Sequence, residues 1–329
     1  MKVRDAEIRG TGRSAATSIP ESQRPSGHAR SVEMQTSAID VAPRAISAKE
    51  FLLFQALIYR ESGIWLSDVK IGLLTARLSK RLRMLQLKRF SEYYERVTLD
   101  LEERLTMLDV ITTNETHFFR EPIHFQFLEE RVFTAWQAAV NARQRDRVLR
   151  VWSAGCSTGQ EAYSLAMILL DHFPHHNKWS IEILATDLSR RALATAEQGV
   201  WSADKAREIP RHYLRKYTLK GVGEFQGQVK AAPSIRIVRF ARLNLNDENY
   251  PAWLGKFDLI FCRNVLIYFD IESRNRVLGR LVKHLAPDGF LFVGHAETLT
   301  SACPSLRCVI PTVYVYNRTG SSERHAIGT

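Results

Sequence analysis

The chain is poor in cysteine. Cys156, Cys262, Cys303 and Cys308 form no CxxC pair and have no histidine at metal-ligand spacing, which argues against a disulfide framework and a zinc ribbon. No metal site is expected. Long apolar runs are also missing, since no stretch approaches the roughly 18 consecutive apolar residues of a membrane helix. The opening MKVRDAEIRGTGRSAATSIP lacks the apolar core of a secretory signal. Unpaired thiols and no signal predict a cytoplasmic protein without direct membrane insertion. Acidic residues are in deficit, with 35 Asp and Glu against 46 Lys and Arg, a formal net charge of +11. That sign points to an acidic partner, whether nucleic acid, anionic lipid or a protein surface.

What is present suffices for a folded core. The 329 residues are 45% hydrophobic and 25% charged, ordinary for a globular protein and long enough for two domains. Residues 1–45, rich in Ser, Gly, Pro and Arg without hydrophobic period, read as a disordered leader. Ser47-Ala48-Lys49-Glu50 fits a capping box ahead of Phe51, Phe54, Leu57 and Ile58, with Gly63 as the stop. A second helix is expected from about Asp68, its stripe formed by Ile71, Leu74, Leu78, Leu82 and Leu85. Shorter helical patterns lie around Ser91–Val97 and Leu101–Ile111. Residues 46–117 thus read as a small helical domain.

From Val148 the pattern changes. VLRVWSAG, SIEILATD, IRIVRF, FDLIFCRN, FLFVGHAE and TVYVYN read as strands. Helices are expected at Gln160–His172, from Ser189, and at Ile271–Leu285, the last ended by Pro287-Asp288-Gly289. Such alternation predicts an α/β fold, a doubly wound, mostly parallel Rossmann-like sheet over residues 118–318. The glycines of GVGEFQGQVKA suggest an antiparallel β insert at about 212–240. Residues 319–329 are expected to be a flexible tail.

Ligands of such sheets bind beyond the carboxyl ends of the strands. SAGCSTGQE, Ser153–Glu161, occupies the first of these ends. Its glycines are spaced GxxxG rather than GxGxxG, and no GK[ST] follows, so a pyrophosphate cofactor is disfavoured. A tight turn with no ligand is the plain alternative for Gly155 and its neighbours. Asp187 ends the second strand, where a carboxylate can accept from both ribose hydroxyls or merely cap a helix. Asn244-Leu245-Asn246 and Arg263-Asn264 end two more strands. Their amides could read an adenine edge or hold an amino-acid moiety, or serve turn chemistry. Taken together, four polar or glycine-bearing strand ends suggest an adenosine-containing ligand.

TNETHFFR (Thr113–Arg120), WSAGCSTGQEAYSLAM, ATDLS, FARLNL, FDLIFCRNVLIYFD and GFLFVGHAE, in this order, resemble the CheR family of chemotaxis receptor methyltransferases. The resemblance covers about 270 residues, leaving out only the leader and the tail. It implies S-adenosylmethionine (SAM) as cofactor and S-adenosylhomocysteine as product. It also implies a cofactor site of Asn114, Thr116, Arg120, Glu161, Asp187, Asn244, Leu245, Arg263 and Asn264, to which the reading of the first strand end adds Gly155. The expected reaction methylates glutamate side chains in the cytoplasmic methylation region of chemoreceptors. A glutamate with pKa near 4.3 is already ionised at neutral pH, so no general base is required. Positioning remains, and Arg120 and Tyr268 are the candidates to orient the carboxylate. His117 departs from the small residue common in the family.

Between Lys70 and Arg89 stand seven basic residues and no acidic one. Arg77, Lys80, Arg81 and Arg83 are expected to face outward, either as a solvated face or as a docking surface for acidic helices. The resemblance implies the second, with the β insert as a tether for a receptor C-terminal peptide and a monomeric enzyme. The rival readings are a nucleic-acid methyltransferase and a SAM-binding signalling module without turnover. Cys262-Arg263-Asn264-Val265 stands where amino-group enzymes carry a D/N-P-P-Y/F tetrad, and no stacking groove for bases is evident, so no nucleic-acid partner is expected.

Overall fold

The computed structural model describes residues 45–174, 178–299 and 303–317. The leader (residue 45 aside) and the tail expected from sequence lie outside them. Helix α1, Ala48–Ser62, starts at the expected capping box: Ser47 Oγ accepts from Glu50 N and Glu50 accepts from Ser47 N. Gly63, at φ +74°, ends it by donating to Tyr59 O at 2.7 Å. A 3₁₀ turn at Asp68–Lys70 leads into α2, Ile71–Met84, which buries Leu74, Leu78 and Leu82. Helices α3, Phe90–Leu99, and α4, Leu101–Ile111, close the bundle around Phe54, Tyr93 and Met107. Helix α5, Pro122–Phe127, passes through a π turn at Leu128–Phe133 into α6, Thr134–Asn141. That helical stretch was not anticipated from sequence.

The half from Val148 onward alternates as expected. Strand β1, Val148–Ala154, is followed by α7, Gln160–His172; β2, Ser180–Asp187, by α8, Arg190–Gln198. Next come β3, Val200–Ser202, α9, Ala203–Ala206, α10, Arg211–Tyr217, β4, Thr218–Lys220, and β5, Gln228–Ala231. The remainder comprises β6, Val238–Arg242, β7, Phe257–Cys262, α11, Ile271–Lys283, β8, Leu285–Val293, β9, Leu306–Ile310, and β10, Val313–Tyr316. The main sheet has the order β6-β2-β1-β7-β8-β10-β9. The first five run parallel, whereas β10 is antiparallel to both β8 and β9. One face of the sheet packs Phe261, Phe292 and Met167 and the other Trp152, Leu278 and Leu281, which explains the near-continuous apolar strands.

Three expectations need correction. Pro287-Asp288-Gly289 lies within β8, not after the helix; the register slips there, Phe257 pairing with Leu285 but Leu259 with Phe290. A bulge tolerates a residue that cannot donate to the ladder. TVYVYN does not close the sheet, because β9 lies outside it. The insert's sheet, β3-β5-β4, begins at Val200, upstream of the expected boundary, because β3 pairs antiparallel with β5.

Candidate active site

Strand order reverses between β1 and β7, whose neighbours are recruited in opposite directions. Crossovers then leave opposite faces, opening a crevice at the strands' carboxyl ends. A cavity of about 330 Å³ lies there. Its floor is the β1–α7 turn, where the N–H groups of Gly155 and Cys156 both donate to Thr186 O, at 2.7 and 2.9 Å. Gly155 has φ +85°, and a Cβ there would stand 2.3 Å from Val265 Cγ2. The space a side chain would take is therefore filled by Val265 as well as bordering the cavity, a second reason for glycine that sequence did not reveal.

Asp187 is 9% exposed. Its two oxygens accept from Ser157 N and Ser189 N, each at 2.8 Å, which fixes the carboxylate at the rim of the cavity. Burial pushes its pKa above the usual aspartate value against the pull of these amides. Each oxygen keeps a lone pair for a further donor.

Beside it lies a buried charge lattice. The Arg263 side chain, 1% exposed, pairs with Glu121 Oε2 at 3.2 Å and Glu161 Oε2 at 3.3 Å and also donates to Arg120 O. Glu161 further accepts from Ser153 Oγ at 2.7 Å. Burial raises the Glu161 carboxyl despite the nearby guanidinium. For Glu121 burial also pushes up, but Arg263, the His295 amide and neighbouring histidines outweigh it and hold the carboxyl low. Arg263 is thus spent as a brace between β7 and the segment before α5, although it borders the cavity.

Residues 114–120 form a strap along the cavity, which Asn114, Thr116, His117 and Arg120 line. Ser157 Oγ donates to Asn114 O at 3.0 Å and Phe119 N donates to Ser164 Oγ at 3.0 Å. Phe119 and Glu121 sit at φ +48° and +56°, a strained conformation for side-chain-bearing residues. Among the described residues the Arg120 guanidinium has no hydrogen bond or ion pair, and it borders the cavity with Tyr268.

Every cofactor candidate named from sequence, together with Arg120 and Tyr268, meets at this one cavity. The Asn244 amide is held by protein groups: its Nδ2 donates to Glu61 O at 2.8 Å and Asp247 Oδ1 at 3.0 Å, and its Oδ1 accepts from Asn246 N at 3.0 Å. Its donors are used, which leaves its backbone and one Oδ1 lone pair for the cavity. The basic face of α2 is also corrected. Arg81 forms a two-pronged pair with Glu103, at 2.8 and 2.6 Å, and Arg77 donates to Ile111 O and to Thr113 Oγ1. Lys80 and Arg83 are exposed. These partners, acidic only for Arg81, were unreadable from the basic run because they come from α4 and the residues just after it.

Sequence reasoning passed over Glu297. This carboxylate is fully buried and accepts from Asn264 N, Gly294 N and Ile267 N at 2.7, 2.6 and 3.1 Å. It clamps the β7 loop, with Asn264 at φ +59°, onto the end of β8. Its signal was present in GHAE, an acid just past a buried strand.

A doubly wound sheet with an antiparallel last strand, a glycine turn after β1 and an acid ending β2 define the class of SAM-dependent methyltransferases. Within that class the chain belongs to the CheR methyltransferase family. The family's "CheR methyltransferase, SAM binding domain" matches residues 114–315, and its "CheR methyltransferase, all-alpha domain" matches residues 49–112. The chain is 36% identical over 265 residues to the chemotaxis protein methyltransferase of Borreliella burgdorferi, covering 79% of this chain and 92% of that protein. Identity to chemotaxis protein methyltransferase 2 of Pseudomonas aeruginosa is 36% over 267 residues, covering 81% and 92%. For the Escherichia coli K12 chemotaxis protein methyltransferase it is 36% over 260 residues, covering 78% and 86%. The chain is a SAM-dependent methyltransferase of chemotaxis. No helix among the described residues is long and apolar enough to cross a membrane.

Proposed function

We propose that this chain esterifies glutamate side chains of chemoreceptors with the methyl group of SAM, releasing S-adenosylhomocysteine. The carrying observation is one cavity lined by Asp187, the Tyr268 ring and the Arg120 guanidinium, which makes no hydrogen bond or ion pair among the described residues. The residues present suit SAM. Asp187 would accept from the ribose hydroxyls, and the backbone at Asn244-Leu245 and the Asn264 amide would meet the adenine edge. Asn114 and Thr116 would hold the amino-acid end beside the Gly155 turn. Bound SAM supplies a methyl group already activated by its sulfonium.

The protein's task is then alignment. Arg120 draws in an ionised carboxylate and holds it in line, Tyr268 borders its path, and the cavity removes part of the water around it. Lys80 and Arg83 offer charge to an acidic receptor helix beside the bundle. Leu219, Val222 and Phe225, at 53%, 75% and 56% exposure, crown the insert's hairpin, where a receptor C-terminal peptide would add to the sheet edge.

Incubation with methyl-labelled SAM and receptor-bearing membranes tests the reading. Label on receptor that is released by mild alkali supports a carboxyl ester; SAM binding without transfer, or alkali-stable label, refutes it. Arg120→Ala should lower kcat/KM for receptor by about 10²-fold, as expected for a lost positioning contact. Unchanged turnover at saturating SAM and receptor would remove Arg120 from that role.

A further inference from the structure

The strap that carries Asn114, Thr116 and Arg120 is gripped from outside the cavity by the first part of the β insert. Glu208, between α9 and α10, uses both oxygens: Oε1 accepts from His117 Nδ1 at 2.8 Å and Oε2 accepts from Phe118 N at 2.8 Å. Lys205 Nζ donates to Thr116 O at 3.3 Å. Phe118 packs edge-on against Trp201 of β3, with ring centroids 4.9 Å apart. His117 also faces Glu115, its Nε2 3.7 Å from Oε1. Three consecutive strap residues are therefore tied to Trp201, Lys205 and Glu208. Directly after them the backbone enters its two left-handed residues, Phe119 and Glu121.

Strain of this kind persists only where neighbouring contacts over-determine it. The ties to the floor, Ser157 on Asn114 O and Ser164 on Phe119 N, hold the two ends of the strap. Its middle is held by Glu208, through the His117 side chain and Phe118 N, and by Lys205 on Thr116 O. A carboxylate bridging an imidazole and an amide makes two charge-assisted hydrogen bonds, and at 42% and 29% side-chain exposure the pair is only partly open to competing water.

We propose that His117 and Glu208 are positioning residues which hold the strap in its SAM-binding conformation, so that the β insert sets cofactor affinity from outside the cavity. The inference rests on the assignment of Asn114, Thr116 and Arg120 to the SAM pocket. Glu208 lies outside the cavity, whereas His117 also borders it, so Glu208→Gln is the variant that reads the strap alone. Their effect passes through the backbone of residues 116–118 to the groups on either side.

Calorimetric titration of the full chain with SAM reads this without any receptor. Glu208→Gln keeps an acceptor for Phe118 N but removes the charge, and His117→Ala removes the imidazole. Each should weaken SAM binding about fivefold to tenfold, less than a buried charge-assisted hydrogen bond would cost because the pair is partly exposed. His117→Asn places an amide Nδ2 where the imidazole has Nδ1 and should restore binding to within about twofold. The double variant His117→Ala/Glu208→Gln should lose no more than the larger single effect, as for two halves of one contact. With receptor, KM for SAM should rise in step while kcat at saturation stays within about twofold. Native SAM affinity in both single variants overturns the inference, as does a fall in kcat at unchanged SAM affinity, which would move His117 to the substrate. Asp187→Ala is the control: if it too binds SAM normally, the pocket assignment falls and the inference with it, whereas a loss confined to Asp187→Ala leaves the pocket standing and removes only the strap's dependence on Glu208.

Discussion

At Gly155 one missing Cβ decides how β1 meets the loop after β7. Alanine there would need to move Val265, whose Cγ2 stands 2.3 Å from the ideal Cβ position, while adopting φ +85°. Gly155→Ala is expected to cost about 3 kcal/mol of stability, combining overpacking with left-handed strain. Adding Val265→Ala should return the overpacking part, leaving about 1–2 kcal/mol for the backbone. Urea unfolding of the two single variants and the double variant measures this. Equal loss with and without Val265 would mean that the steric contact is not the cause. The glycine itself was legible in sequence as a turn after a strand. Its partner was not, since Val265 lies 110 positions away, counted from the two residue numbers. The same holds for Glu208 on His117 and Glu297 on Asn264. Local spacing identifies which groups can do chemistry, but the groups that aim them come from distant turns of the fold.

Among the elements, those with a strong period were legible and those with a weak one were not. Helix α1 follows its capping box and apolar stripe, α4 and α7 fall where expected, and the parallel strands announce themselves as apolar runs because both faces are covered. Strand β9 was missed: as an edge strand it needs no apolar face, and Arg307 and Cys308 are exposed on it. The basic run of α2 shows the opposite error, a clear pattern with hidden partners. Glu103, only 4% exposed, accepts from Arg81 and from Tyr93 Oη at 2.9 Å. Burial alone would raise this carboxyl, but the bonds from Arg81 and Tyr93 outweigh it and leave it below the ordinary glutamate value. A depressed carboxyl stabilises the fold above its unfolded pKa, near 4.3, and that contribution is lost as pH falls through the folded value. Arg81→Ala strands the carboxylate and should destabilise the protein by about 2 kcal/mol at pH 7, below the figure for a fully buried pair because Arg81 is partly exposed. Its loss of stability between about pH 5 and 3 should be shallower than that of the native chain. Parallel urea midpoints across that range would expose the error if the two curves kept a constant offset.

Over the whole of residues 45–317 the bundle and the sheet are joined where the cavity opens. Trp65 N donates to Tyr268 O at 2.8 Å, the Asn244 amide to Glu61 O at 2.8 Å, and Tyr59 Oη to Asp270 Oδ2 at 3.0 Å. Arg190 pairs with Glu102 at 2.7 Å. A Cβ on Gly63 would lie 2.7 Å from Asn246 Oδ1, so the end of α1 sits flush against the loop after β6. The cavity wall takes Ile64, Leu66 and Lys70 from the bundle side and Asp187, Asn264 and Tyr268 from the sheet side. A ligand there contacts both, and its binding energy must therefore stabilise both. The two parts should unfold in a single calorimetric transition. Saturating SAM, at about 100 times its Kd, should add about 2.7 kcal/mol and move that one transition up by about 5 °C or more. Two separate transitions, with only the upper one responding to SAM, would mean that the bundle is attached beside the site without closing it. Tyr59→Phe then separates the two cases further. If the join at Asp270 couples the parts, losing one hydroxyl should split or broaden the transition while leaving the core of the sheet untouched; if the bundle is merely adjacent, only the lower transition should shift.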